Sequence, residues 1–77
     1  MIIAEMEKNT GEIIRVSITE LNNHRFIDCR VYYQDDSGEW KPTKKGIALN
    51  DGTIDGVIKA LEEARVQLQT DEGQWRS

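Results

Sequence analysis

The chain has 77 residues, a net charge of −4, one cysteine and one histidine. This length is that of one small domain, and a single cysteine and a single histidine exclude an intrachain disulfide and a zinc site of ordinary ligand number within one chain. Because so small a core is marginally stable without a crosslink, we expect two copies to associate.

The start of the chain has no basic region before an apolar run, so it does not have the pattern of a signal peptide. The apolar runs elsewhere are too short to span a bilayer. We therefore expect a soluble intracellular protein of the cytoplasm or nucleoid, or of the nucleus in a eukaryote. We expect it to have no cofactor and no membrane partner.

The first half of the chain has the pattern of β-strands. Residues 1–11 form an N-terminal segment, predicted to be partly ordered, that ends in the turn signal Asn-Thr-Gly. Residues 12–21 alternate apolar and polar side chains, as a half-buried strand does. The pair Asn22 and Asn23 then predicts a tight hairpin turn, since asparagine tolerates positive φ.

Three further strands are predicted after this hairpin. The first covers residues 25–33 and ends before a turn over residues 35–38. A short strand at residues 39–43 contains Pro42, which predicts an edge strand or a bulge because proline cannot donate to a ladder. The last strand is residues 47–49.

One amphipathic helix follows, capped at its start by Asn50 or by Thr53. It extends to about residue 68 or 69, and residues 70–77 are a polar tail. Its apolar stripe, which we expect to cover one sheet face and to supply dimer contacts, consists of Ile54, Val57, Ile58, Leu61, Ala64 and Leu68. The predicted fold is α+β, with residues 12–69 as the domain.

The residues offer little for catalysis. The sequence has no recognisable arrangement of nucleophile, base and orienting acid, and no glycine-rich phosphate loop. We therefore expect a protein that is not an enzyme.

The informative segment for binding is residues 40–46, which contains Trp40, Lys41, Lys44 and Lys45 without an acid. Aromatic rings interleaved with cations suit an unpaired nucleic-acid strand, whose bases stack while its phosphates attract ammonium groups. A solvated lysine edge that prevents aggregation between sheets explains the same pattern. The pattern alone does not decide between the two interpretations.

Residues 27–50 contain a series of motifs: Ile27-Asp28, Arg30, the pair Tyr32-Tyr33, Gly38-Glu39, Lys41-Pro42, Lys44-Lys45-Gly46-Ile47 and Leu49-Asn50. In these motifs the chain resembles the positive cofactor 4 family of transcriptional coactivators. The resemblance extends without gaps over about residues 12–65. It implies a four-stranded curved antiparallel sheet followed by one C-terminal helix, in a homodimer that binds single-stranded DNA with little sequence preference.

The resemblance also implies roles for individual residues. Tyr33 stands where the family commonly has a base-stacking tryptophan, and a core-filling role is the alternative. Arg30, Lys41, Lys44 and Lys45 match positions that contact the phosphate backbone. Gly46 is expected at a bend that a Cβ would obstruct.

The first hairpin departs from the better-known members, which have an aromatic residue and lysines at its tip. Here the tip is Leu21 to His24 with Arg25 adjacent, Glu12 stands where a lysine is usual, and Thr19 where an arginine is usual. We expect Arg25 to contribute to binding and Trp40 to replace part of the missing stacking surface. The consequence is weaker and more salt-sensitive binding.

Two functions are consistent with these features. The first is a homodimeric binder of single-stranded nucleic acid, DNA or RNA, that acts with the transcription machinery or in replication or repair. The second is a protein-interaction and dimerisation module of the same fold that binds DNA weakly or not at all.

Overall fold

The computed structural model describes residues 1–75, and the side chains of residues 1–70. Its elements in chain order are β1 (Ile2–Asn9), β2 (Glu12–Leu21), β3 (His24–Gln34), β4 (Trp40–Leu49) and α1 (Asp51–Trp75). The strands form one curved antiparallel sheet in the order β1-β2-β3-β4. The predicted architecture of four strands followed by one helix is confirmed.

The structure differs from the predicted strands in two segments. A strand at residues 2–9 occupies the segment that was predicted to be only partly ordered, and it pairs with β2 along most of its length. Residues 39–43 and 47–49, predicted as two strands, belong to one strand, β4. Neither the strand β1 nor the continuity of β4 is evident from the sequence, because register shifts in both strands interrupt the alternation of apolar and polar residues.

The turns follow the predicted chemistry. Asn22 and Asn23 have φ values of 53° and 68°, and Leu21 pairs with His24. This is the two-residue hairpin with left-handed conformations that asparagine accepts more readily than other non-glycine residues. Pro42 lies on the edge strand β4, as its missing N–H predicts.

Both predicted capping residues take part at the start of α1. The Asn50 side-chain oxygen accepts a hydrogen bond from the Gly52 N–H at 2.8 Å. The Thr53 hydroxyl accepts one from the Asn50 N–H at 3.1 Å. The two side chains therefore satisfy the N–H groups of Gly52 and Asn50 at the start of the helix, in the manner of a capping box.

The predicted end of the helix at residue 68 or 69 is wrong, because α1 continues to Trp75. The segment from residue 70 onward contains no proline, and Gly73 is a weak helix breaker. Within residues 1–75, no helix has the length and apolar character needed to cross a bilayer.

The helix does not cover a sheet face of its own chain, contrary to the prediction. Ile54 and Val57 are half-buried, but Ile58, Leu61 and Leu68 remain 48%, 64% and 59% exposed. The helix contacts β4 and leaves most of its apolar stripe uncovered. Among residues 1–70, no hydrophobic side chain is fully buried.

Candidate nucleic-acid interface

Strand β4 carries a bulge at its lysines. Tyr32 pairs with Pro42 and Arg30 pairs with Gly46, so that Val31 alone faces residues 43–45. We call residues 43–45 the lysine bulge. Two extra residues in one strand disrupt the ladder and displace their side chains from the regular pleat. The bulge thereby presents Lys44 and Lys45 at the edge of the sheet, where both are exposed.

Three hydrogen bonds hold the lysine bulge. The Thr43 hydroxyl donates to the Val31 carbonyl at 2.8 Å and accepts from the Lys45 N–H at 3.1 Å. The Arg30 guanidinium donates to the Thr43 carbonyl at 2.8 Å. These bonds satisfy backbone groups that the interrupted ladder would leave without partners.

A side-chain row crosses the sheet next to the bulge. Tyr33 pairs with Glu12 on one side and with Lys41 on the other, so the three side chains share one face. Tyr33 is 44% exposed. We call Glu12, Tyr33 and Lys41 the Tyr33 row. It places an exposed aromatic ring directly between an acidic and a basic residue.

Lys41 is drawn toward the turn between β3 and β4. Its Nζ lies 3.0 Å from the Glu39 carboxylate and 4.0 Å from that of Asp35. Asp35 also accepts from Ser37 Oγ at 2.6 Å and from the Glu39 N–H at 3.0 Å. These hydrogen bonds hold the pKa of the Asp35 carboxyl below its usual value, and the bond from Ser37 Oγ has the largest effect.

Glu12 remains charged beside the tyrosine. Hydrogen bonds from Asn9 at 2.8 Å and from Lys8 at 3.2 Å lower the pKa of its carboxyl, and the charge of Lys45 lowers it further. Lys45 is thus close enough for electrostatic interaction with the Tyr33 row. No carboxylate within residues 1–70 lies within 4.0 Å of the Lys44 or Lys45 ammonium group.

The opposite face of the sheet holds two ion pairs. Arg30 Nη2 lies 3.1 Å from Asp28, and hydrogen bonds to Asp28 raise the pKa of the guanidinium. Arg15, which pairs with Arg30 across the ladder, lies 2.6 Å from Glu5 and 4.2 Å from the centre of the Tyr32 ring. The arginines of this face are therefore partly neutralised and anchored.

The structure divides the predicted site residues between two faces. Tyr33 and Lys41 share the face of the Tyr33 row. Arg25, at the other end of β3, lies on the same face and pairs with Glu20. Arg30 and Trp40 lie on the opposite face. Lys44 and Lys45 lie at the edge between them.

Sequence reasoning missed two residues of this region. Arg15 could have been found from the sequence, because it alternates with apolar residues along β2. In the structure it lies across from β3, near Tyr32. Thr43 has none, since its role depends on two extra residues in β4 that the periodicity does not reveal. The predicted constraint at Gly46 is confirmed: a Cβ there would lie 2.6 Å from the Cys29 carbonyl oxygen.

Comparison with known proteins matches these features to one family. The family model for Transcriptional Coactivator p15 (PC4) matches residues 8–60. The RNA polymerase II transcriptional coactivator SUB1 of Saccharomyces cerevisiae is 44% identical over 50 residues, which are 64% of this chain. The chain spans 17% of the length of that coactivator.

Two solved structures share the fold. A PC4 homologue from Burkholderia pseudomallei superposes with a TM-score of 0.79 at 29% identity, covering 84% of this chain and 88% of that one. The bacteriophage T5 homologue of PC4, implicated in recombination-dependent DNA replication, has a TM-score of 0.68 at 22% identity and covers 100% of this chain and 96% of its own. Since the family model covers more than half of the sequence, this chain belongs to the PC4 family of transcriptional coactivators.

Proposed function

We propose that the chain binds single-stranded nucleic acid, with DNA as the first candidate, as a homodimer and with little sequence preference. The lysine bulge is the observation that carries this proposal. Lys44 and Lys45 are exposed and have no carboxylate partner among residues 1–70. Val31, which faces the bulge, shares a sheet face with the exposed Tyr33 two residues along β3. Unpaired strands need both features, cations for the phosphates and a ring for the bases.

The acidic net charge does not oppose this proposal. Strand β4 contains three lysines and no acid, while α1 contains most of the carboxylates of the C-terminal half. Ions screen exposed charges beyond a distance of roughly 10 Å. The phosphate chain would therefore respond to the local charge of the β4 edge more than to the total charge of the protein.

The proposed dimer follows from the uncovered apolar surface. The Cα radius of gyration is 15.4 Å, whereas a compact chain of this length has a value of about 11–12 Å. Ile58, Leu61, Val66 and Leu68 of the helix are all exposed in one copy. A second copy would remove this apolar surface from water and would supply the core that one copy lacks.

The family supports a role with the transcription machinery. The yeast relative is a coactivator of RNA polymerase II transcription, and the phage relative is implicated in recombination-dependent replication. Unpaired DNA is the common element of these processes. We therefore propose that the chain acts where transcription, replication or repair opens the duplex, and that it contributes binding rather than catalysis.

The second candidate is an interaction module that has lost DNA affinity. It is favoured by Glu12, which places a negative charge on the Tyr33 row, and by Lys41, which is paired with Glu39 and Asp35. Both features reduce the positive charge available to phosphates.

Fluorescence anisotropy separates the two candidates. A labelled single strand of about 20 nucleotides is titrated at low and moderate salt, with the duplex and an RNA of the same sequence as competitors. The proposal predicts binding that weakens as salt rises and a preference for the single strand over the duplex. No binding at low salt would reject it in favour of the interaction module.

A further inference from the structure

A two-residue insertion in an exposed edge strand would ordinarily be a mobile feature. The ladder gives the backbone of residues 43–45 no regular partners, because only Val31 stands opposite them. Flexible lysines on a flexible loop lose conformational entropy when they bind a phosphate chain. The hydrogen bonds that hold the bulge lower this entropy cost, because they order its backbone before the ligand binds.

One hydroxyl connects the two sides of the bulge. Thr43 Oγ1 donates to Val31 on the neighbouring strand and accepts from the amide of Lys45. The backbone on either side of Lys44 is thus held against β3 through one atom, Thr43 Oγ1. Thr43 is half-buried, which protects these bonds from competition with water.

Arg30 completes the attachment from the opposite face. Its Nη1 donates to the Thr43 carbonyl at 2.8 Å, while Nε lies 3.1 and 3.2 Å from the Asp28 carboxylate oxygens. The carboxylate therefore orients the guanidinium, and the guanidinium holds the bulge. A planar fork with several N–H groups can make both contacts, and a lysine ammonium cannot reproduce that geometry.

We propose that Thr43 and Arg30 are positioning residues, which fix the lysine bulge before nucleic acid arrives. The inference rests on the proposed function for its effect on binding. Thr43 contacts no phosphate in this scheme, and Arg30 acts through the Thr43 carbonyl. Their contribution is to set the positions from which Lys44 and Lys45 reach the ligand.

Thr43→Val and Thr43→Ser test the role of the hydroxyl. Valine keeps the shape and loses both bonds, whereas serine keeps the oxygen. We expect Thr43→Val to bind the labelled single strand about fivefold more weakly, since about 1 kcal/mol is then needed to order the bulge on binding. Thr43→Ser should bind within about twofold of the original chain.

The salt dependence distinguishes positioning from charge. Thr43→Val keeps every lysine, so its slope of log K against log salt should equal that of the original chain. Thr70→Val, on an exposed part of α1, is the matched control and should leave affinity unchanged. Affinities are compared well below each variant's unfolding temperature, so that a loss of stability alone does not weaken binding.

Amide hydrogen exchange tests the attachment without nucleic acid. We expect the Lys45 amide to exchange about fivefold faster in Thr43→Val. Arg30→Lys keeps the positive charge, and it should also accelerate exchange in residues 43–45. If Arg30 served only as a phosphate contact, exchange there would not change.

The outcomes are separable. Equal affinity of Thr43→Val and the original chain would overturn the positioning role, and so would a Thr43→Ser variant as weak as Thr43→Val. If the original chain does not bind single strands at all, the proposed function fails instead. Hydrogen exchange at Lys45 would then decide by itself whether the hydroxyl holds the bulge.

Discussion

Gly46 lies directly opposite Arg30 on the β3–β4 ladder, at a separation that leaves no room for a Cβ. An added Cβ would lie 2.8 Å from the Arg30 Cα and 2.6 Å from the Cys29 carbonyl oxygen. Both are atoms of the β3 backbone, which cannot rotate away as a side chain can. Strand β4 therefore depends on glycine here to return to β3 after the lysine bulge.

We expect Gly46→Ala to lower the free energy of unfolding by about 1–3 kcal/mol, the usual cost of overpacking. Urea denaturation measures the change. Gly56→Ala is the matched control: nothing lies within 4 Å of the added Cβ, and alanine favours the helix by about 0.5–1 kcal/mol. An equal response of the two variants would contradict the close approach at Gly46.

Asp35 should make stability depend on pH. Its carboxyl has a lowered pKa in the folded chain, so the ionised form adds stability above the unfolded pKa, about 3.9. That contribution is lost as pH falls through the folded pKa. We therefore expect Asp35→Asn to be less stable than the original chain at neutral pH.

The difference should shrink between neutral pH and an acid pH below the folded pKa of Asp35, where the original carboxyl is also protonated. Urea midpoints at the two pH values provide the measurement. Asp36→Asn removes the charge of the adjacent residue and should show a smaller difference. A penalty for Asp35→Asn that is the same at both pH values would contradict the role of ionisation.

The exposed helix stripe predicts the response of the proposed dimer. Leu61 is 64% exposed in one copy, and burial of a leucine side chain contributes about 1.5–3 kcal/mol. Leu61→Asn removes this burial free energy from both copies of a symmetric dimer. We expect the dissociation constant of the dimer to rise by at least about a hundredfold, as measured by sedimentation equilibrium.

Gln67→Asn, on the polar side of the same helix, is the control and should leave the dimer intact. A chain that sediments as a monomer before any substitution would reject the proposed association. So would a Leu61→Asn variant with the dissociation constant of the original.

Tyr33 should contribute by stacking. Tyr33→Phe keeps the ring and should retain affinity for single strands. Tyr33→Ala should lose about 1–3 kcal/mol of binding, the usual effect of removing an aromatic ring beneath a base. Anisotropy measures affinity, and circular dichroism checks that the alanine variant is folded. An unfolded alanine variant would instead support the core-filling role.

The sequence predicted the features that depend on local chemistry. Asn22 and Asn23 specify their hairpin through their own backbone preferences, and Pro42 indicates an edge strand through its missing N–H. Side chains alternate along β3, so that Tyr33 and Arg30 belong to opposite faces of the sheet. The family resemblance then grouped these two as one site, although their side chains lie on opposite faces.

The features that it missed depend on pairing between distant segments. Strand β1 is stabilised by its ladder to β2 rather than by a regular pattern of its own residues. The lysine bulge exists because two residues of β4 have no counterpart on β3. The uncovered stripe of α1 reflects packing that one chain does not contain.

The most direct test of the lysine bulge is charge reversal followed by anisotropy with a labelled single strand at low salt. Lys44→Glu with Lys45→Glu is compared with Lys59→Glu and Arg65→Glu, which reverse two exposed charges on the helix. We expect the bulge variant to lose binding and the helix variant to keep most of it, with both variants dimeric by sedimentation. Equal affinity of the bulge variant and the original chain would show that Lys44 and Lys45 do not bind the single strand.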